Sequence, residues 1–324
     1  MTTRLLASAA LAATAACAAF APIPPREPAV RGVPRDEPSA SLSAVWVGHA
    51  TVLLRLGHRH VLTDPNLGGS LLIVPRLTPS SLKPTELPPL DAVVISHMHF
   101  DHFDPRTLRK LGPRPAVFYP RDGAPYADEI GQPNQRGLDP WEQVRVRDLI
   151  ITAVPARHSG GRFGLDFLWN HAYTGYVIEG AGHRVFFAGD TGYDPVIFRE
   201  IGRRFPGIEV AFVPIAPSRS DEGGRDRWGH VGPKQALDIF RDVGARFMVP
   251  IHHEAYFSSG LRLSEPRQKL LAEAARRGLT DRIYALRTGE RLAFPSSSPD
   301  KPLVIAEPAH RSAVASGRSG RGGR

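Results

Sequence analysis

The chain has 324 residues, 42% of them hydrophobic and 8% aromatic, with a single cysteine. That content is ample for a packed core and excludes a fibrous or wholly unfolded polypeptide, while the length admits two domains or one large α/β domain. The formal charge is +9, but Arg311, Arg318, Arg321 and Arg324 near the C-terminus supply four of those charges with no acid beside them. The remaining excess is modest. It suits an acidic substrate or an anionic surface and does not by itself imply nucleic acid.

Residues 1–21 begin with one early cation, Arg4, and continue as a short run rich in alanine and leucine. This is the pattern of an export signal, too short and too alanine-rich for a membrane span. Thr14-Ala-Ala-Cys17 resembles a bacterial lipobox. Two outcomes follow: a lipidated Cys17 that tethers the chain to a membrane, or cleavage at an Ala-x-Ala-like site without lipid. Either places the protein outside the cytoplasm, in the periplasm or anchored as a lipoprotein, and leaves no disulfide option. Residues 22–42 carry six prolines between Pro22 and Pro38 and read as a tether.

Folded sequence is expected over 43–295. Runs at 45–47, 51–56 and 60–63 predict a β-meander, the last two joined at Gly57. Residues 64–90 predict a long loop with an apolar centre at 71–74, followed by a buried strand at 92–96. A short helix is predicted at 105–111, with Asp104 as N-cap and Pro105 in its first position. Strands are then predicted at 116–119, 144–146, 150–154, 174–178, 184–188, 210–214 and 247–251. Helices are predicted at 195–205, 233–243 and 264–277, the last ending at Gly278. Residues 283–286 and 290–294 predict a closing hairpin, and 296–324 a disordered basic tail.

The densest chemistry lies at His97-Met-His-Phe-Asp-His102, directly after the strand ending at Ser96. A strand would send alternate side chains to opposite faces. A tight loop leaving the strand can instead aim His97 and His99 at one point, and Asp101 and His102 at a second point beside it. Imidazole nitrogen and carboxylate oxygen suit zinc, and also manganese or iron. Three further donors fall at predicted strand ends, where sites form in sheets packed between helices: His158, Asp190 and His252. His253 competes with His252. The remaining histidines at 58, 60, 171, 183 and 310 fall in turns, an extra loop or the tail and read as solvated.

With these residues in order, the chain resembles the metallo-β-lactamase superfamily, whose H-x-H-x-D-H motif matches His97–His102. Five more blocks resemble the branch containing N-acylphosphatidylethanolamine-hydrolysing phospholipase D: Trp46-Val-Gly-His-Ala-Thr-Val-Leu53, Leu62-Thr-Asp-Pro65, Phe187-Ala-Gly-Asp-Thr-Gly192, Gly229-His-Val-Gly-Pro233 and Pro250-Ile-His252. Ascorbate-phosphate lactonases share less of the pattern. The resemblance spans about residues 43–260 and implies an α/β fold, a four-layer αβ/βα sandwich with metals at one edge between the sheets. It implies two divalent cations, with zinc first and manganese or iron as alternatives. His97, His99 and His158 would bind one, Asp101, His102 and His252 the other, and Asp190 would bridge. Asp64 would fix the tautomer of a ligand imidazole. His49 would line the cavity, and His230 would act with Asp101 in catalysis, as a donor to the leaving group or the developing oxyanion.

The implied reaction is hydrolysis by a water held and deprotonated between two cations. A phosphodiester of phospholipase D type is the first substrate class, and a lactone, ester or amide is the alternative. The segment His253-Glu-Ala-Tyr256 stands where this branch usually has Trp-Gly-Thr-Phe. Residues 216–227 lack the branch's aromatic and proline pattern, and 170–173 look like a local insertion. All three lie where substrate would be held. A nuclease is disfavoured by the export signal, the absence of a large inserted domain and charge gathered in a tail. Flavodiiron-type redox chemistry is disfavoured because that group has Glu where His99 stands. A lipid-tethered binding protein with a vestigial site is the non-enzyme reading, set against the fact that no ligand position is lost.

Overall fold

The central strands are continuous apolar runs buried along their whole length, as in Val210–Pro214 and Phe247–Ile251, so each sheet must be covered on both faces, and this dictates layers. The computed structural model describes residues 27–162, 166, 170–217, 229–256 and 264–307. The signal and Cys17 readings, the basic residues beyond 307 and His310 lie outside these.

The N-terminal meander consists of β1 (Ala40–Gly48), β2 (Thr51–Leu56) and β3 (Arg59–Thr63). A small hairpin, β4 (Ser70–Leu71) with β5 (Val74–Pro75), follows in the long loop. Then come β6 (Ala92–Val94), helix α1 (Pro105–Lys110), β7 (Ala116–Pro120), the single turn α2 (Ala127–Ile130) and β8 (Gln135–Leu138). The second half runs through β9 (Gln143–Val146), β10 (Leu149–Val154), β11 (Gly175–Gly180) and β12 (His183–Phe187). It continues with α3 (Pro195–Arg204), β13 (Val210–Pro214), α4 (Pro233–Asp242), β14 (Phe247–Ile251) and α5 (Glu265–Arg276). β15 (Arg291–Pro295) and β16 (Leu303–Ile305) return to the first sheet.

One sheet has eight strands, in the order β16-β15-β1-β2-β3-β6-β7-β8, and the other six, β14-β13-β12-β11-β10-β9. Each is antiparallel on one side and parallel on the other: β3, β6, β7 and β8 run parallel, as do β12, β13 and β14. Inward residues of both sheets, among them Leu54, Val94, Ile178, Phe187 and Phe212, form the central core. The alternate residues face outward. Phe186, Ala211 and Met248 pack under α3, α4 and α5, whereas Val93, Ile95 and Val117 pack with Leu108 of α1 and Ile130 of α2. Helix, sheet, sheet, helix is the four-layer αβ/βα sandwich expected from the sequence, and the parallel halves bring several strand C-termini to one edge. Asp104 caps α1 as predicted, accepting from the N–H of Arg106 and Thr107, and Asp194 caps α3 in the same way.

Four expectations are corrected. Residues 291–295 pair with β1 and β16, not with 283–286, whose Ile283 bridges Met248 instead. β16 lies in the segment read as a disordered tail. The tether gives way to strand at Ala40, and Val30 within it is buried. β8 was not predicted, because Gln-Arg-Gly-Leu has no alternation and gains its pairing only from β7.

Candidate metal centre

Five strand ends deliver the candidate donors. β3 leads into Asp64, β6 into Ser96 and His97, β10 into His158, β12 into Asp190 and β14 into His252. Two of these positions bend sharply, Asp64 with φ of 35° and His252 with φ of 60°, as does His49 just after β1, with φ of 57°. Left-handed backbone at a non-glycine residue costs on the order of 1–3 kcal/mol, and such residues gather where a side chain must be aimed. Gly189 has φ 60°, and a Cβ there would lie 2.3 Å from that of Ser96. Only glycine lets β12 reach the motif loop and deliver Asp190.

Two groups of donor atoms meet at this edge. In the first, His97 Nε2 lies 3.0 Å from His99 Nδ1, which lies 3.3 Å from His158 Nε2. In the second, Asp101 Oδ2 lies 3.3 Å from His252 Nε2 and 3.6 Å from His102 Nε2. Asp190 Oδ2 stands between the groups, 3.0 Å from His252 Nε2, 3.2 Å from His102 Nε2 and 4.0 Å from His97 Nε2. Donors about 2.0–2.1 Å from a tetrahedral zinc ion are spaced roughly 3.3–3.4 Å apart, so these groups fit such an ion. Asp190 Oδ1 is also buried with no hydrogen-bond partner among the described residues, which a structural carboxylate seldom tolerates. His/Asp clusters able to hold metal are therefore present.

The far nitrogens of the rings are tied down. His102 Nδ1 donates to Asp64 Oδ2 at 2.7 Å, His158 Nδ1 to the Gly229 carbonyl at 3.0 Å and His252 Nδ1 to the Ala216 carbonyl at 2.8 Å. His97 Nδ1 donates to Ser96 Oγ at 2.9 Å, and that hydroxyl donates to Asp64 Oδ2 at 2.6 Å. Each bond fixes the proton on the outer nitrogen and leaves the lone pair of the inner one facing the centre. Asp64 thus hydrogen-bonds the His102 ring directly, and Ser96, which carries no motif in the sequence, links it to the ring of His97.

His49 Nε2 lies 3.0 Å from Asp101 Oδ2 and orients that carboxylate. His230 Nδ1 lies 3.5 Å from Asp190 Oδ2, with its ring 4.9 Å from that of His158. His253 points elsewhere and stacks on Trp46 at 4.5 Å, so His252 alone of the competing pair reaches the cluster. Tyr256 stands edge-on to His49 at 5.0 Å, and the buried Arg76 lies 5.6 Å from its ring. The only sequence signal for Tyr256 is its place four residues after His252, and Arg76 has none. Tyr173 of the extra loop bridges His97 across an antiparallel pair, so 170–173 walls the motif.

Burial would raise the carboxyls of Asp101 and Asp190, but the surrounding imidazoles hold both well below the usual carboxylate range. Burial likewise opposes charge on His252, yet Asp190 and Asp101 raise it to about 9. His158, buried among other histidines, falls to about 3. Against its burial, the same carboxylates hold the proton on His102 well above the usual imidazole range, so two ionised acids and the rings around them form one coupled cluster. Of the histidines read as solvated, His58 and His171 are exposed and His60 is half-buried. His183 is a correction: it lies between Ser41 Oγ and Glu209 Oε2, both at 2.5 Å, one from β1 and the other from the residue before β13.

A family described as "Beta-lactamase superfamily domain" matches residues 59–253. An uncharacterized protein of Mycobacterium tuberculosis is 33% identical over 271 residues, covering 78% of this chain and 68% of its own. The N-acyl-phosphatidylethanolamine-hydrolyzing phospholipase D 1 of Caenorhabditis elegans is 30% identical over 254 residues, covering 71% and 69%. The solved structure of Igni18, a metallo hydrolase from Ignicoccus hospitalis, superposes with a TM-score of 0.58 at 20% identity, over 78% of this chain and 98% of that one. The match spans more than half of the chain and includes the whole motif loop, and with it the chain belongs to the β-lactamase superfamily as one of its metal-dependent hydrolases.

Proposed function

We propose that the chain is a dinuclear phosphodiesterase of phospholipase D type. The observation that carries this reading is the placement of Asp190 Oδ2 between two separate donor groups. His97, His99 and His158 would hold one divalent ion, Asp101, His102 and His252 the second, and Asp190 both. Zinc is proposed first, because the set is imidazole and carboxylate with no thiolate. Bound ions of this kind supply Lewis acidity and lower the pKa of water to near neutrality. The chain's own residues do the rest. Asp64 and the Gly229 and Ala216 carbonyls orient the rings, and His49 Nε2 steadies the Asp101 carboxylate. His230 at the rim donates a proton from Nδ1 to the departing oxygen.

The identity to a phospholipase D from Caenorhabditis elegans supports a diester substrate, and the buried Asp190 Oδ1 without a hydrogen-bond partner among the described residues supports a metal-loaded state. The proposal extends to the N-terminus, where a lipid on Cys17 would anchor the domain to a membrane outside the cytoplasm and cleavage without lipid would leave it in the periplasm. Hydrolysis of bis(p-nitrophenyl) phosphate by the metal-loaded protein, compared with lactones, esters and acyl amides, tests the substrate class. Diester turnover abolished by His230→Ala with metal content retained is the expected result. Activity confined to carbonyl substrates overturns it.

A further inference from the structure

The segment 71–74, apolar in sequence, is not packed on the core. It forms the tip of the β4–β5 hairpin, in which Leu71 pairs with Val74 and Ser70 with Pro75. Leu72 and Ile73 make the two-residue turn. Leu72 has φ 52°, at a position where such turns take glycine or asparagine. Leu72 is 68% exposed, Ile73 96% and Val74 39%. Three consecutive aliphatics at the end of a strained turn contradict every local preference for a solvated loop, and such conflicts mark function.

The root of the hairpin is anchored to the site. Arg76 N–H donates to the Gly69 carbonyl at 2.9 Å, Leu77 N–H to the Ala255 carbonyl at 2.7 Å and Thr78 Oγ1 to the Glu254 carbonyl at 2.7 Å. Arg76 Nη1 reaches the Asn66 carbonyl, and Asn66 Nδ2 donates to the carbonyl of Asp101 at 3.0 Å. The tip is thus held at a fixed place beside the motif loop. It also shares a groove of about 220 Å³ with Phe100 of that loop and with Arg106 and Arg109 of α1. Both arginines are exposed. The groove's acids are occupied, Asp104 by the α1 N-terminus and Glu129 by Arg162 at 3.7 Å. Aliphatics projecting beyond a basic rim are the signature of a lipid interface, where apolar side chains enter the acyl boundary and arginines meet phosphates.

We propose that the Leu72–Val74 tip, with Arg106 and Arg109, docks this protein on an anionic phospholipid bilayer and turns the metal site toward it. The inference deepens the reading of the site as a phospholipid diesterase, but docking itself requires no catalysis. The test uses the full chain in a Cys17→Ser background, with an environment-sensitive fluorophore on Ile73→Cys or, as control, on Val196→Cys, which is 77% exposed on α3. Phosphatidylcholine vesicles containing phosphatidylglycerol should blue-shift and brighten the label at 73 and leave that at 196 unchanged. Arg106→Glu with Arg109→Glu should weaken the vesicle titration by at least about 30-fold. A label at 73 that stays unchanged while the protein pellets with vesicles, or while it does not bind at all, overturns the proposal. So does a shift that appears without vesicles as protein concentration rises, because the tip would then be covered by a second copy. Hydrolysis of a soluble diester by the same variants is measured in parallel. Docking that fails with hydrolysis intact refutes this inference alone, and hydrolysis that fails with docking intact refutes the catalytic reading alone.

Discussion

Asp64→Asn should weaken metal binding on one side of the centre while leaving the fold intact. Asp64 is fully buried. Its Oδ1 accepts the Ser96 N–H at 2.6 Å, and its Oδ2 accepts both Ser96 Oγ–H at 2.6 Å and His102 Nδ1–H at 2.7 Å. An asparagine of the same shape keeps its oxygen toward the Ser96 amide and turns an NH₂ toward the other two. The serine hydroxyl can rotate and accept. His102 must instead offer a lone pair at Nδ1 and carry its proton on Nε2, the atom 3.2 Å from Asp190 Oδ2. Losing a charge-assisted hydrogen bond and forcing the wrong tautomer costs about 1.5–3 kcal/mol, or roughly 10- to 150-fold in affinity, in line with about 10–100-fold for outer partners of metal ligands. His97 keeps its bond to Ser96 Oγ, so the His97, His99 and His158 side should change less. Zinc competition against a chromophoric chelator, resolved into two binding steps, reads both effects. Unchanged affinity in both steps, or an equal loss in each, would refute the tautomer reasoning.

Three further outcomes follow from particular contacts. Gly189→Ala places a methyl group on Ser96 in left-handed backbone and should cost about 2–4 kcal/mol in urea unfolding; a loss under about 1 kcal/mol would mean that β12 can move away from the motif loop. His252→Ala should lower metal content and abolish activity. His253→Ala should keep both and lose roughly 2 kcal/mol of stability through its stack on Trp46, and metal analysis beside thermal melts separates the two. Glu273 of α5 is held at about 2 by hydrogen bonds from Arg276 and Arg277, and Arg277 also grips Asp238 of α4 at 2.8 Å. A depressed carboxyl contributes stability that is full above its unfolded value near 4.5 and is lost as pH falls toward 2. Glu273→Gln should therefore cost about 1 kcal/mol at neutral pH and nothing at the acid limit, as denaturation at several pH values will show.

The site was more legible in the sequence than the sheet edges were. His97–His102 concentrates four donors in one loop, and His158, Asp190 and His252 each follow an apolar run, so their meeting needs only that parallel strands end at one edge. Asp64 was readable for the same reason. What the sequence hid depends on partners far along the chain. Ser96 and Arg76 carry no motif of their own, and their roles come from Asp64 and from the loop around residue 255. His183 looked like a turn residue because its partners Ser41 and Glu209 lie elsewhere along the chain, on β1 and just before β13. β8 and β16 are edge strands with weak patterns, and β15 leaves its sequence neighbour to pair with β1. Whether residues 71–74 covered the core or faced outward also could not be read from the sequence, since an apolar run describes both equally well.

Metal content measured by mass spectrometry on the intact purified chain tests the dinuclear centre most directly. The wild type should carry about two divalent ions per chain and Asp190→Ala no more than about one, with the fold retained by circular dichroism. One ion or fewer in the wild type, unchanged by Asp190→Ala, would contradict the assignment of Asp190 as the shared ligand and with it the proposed chemistry.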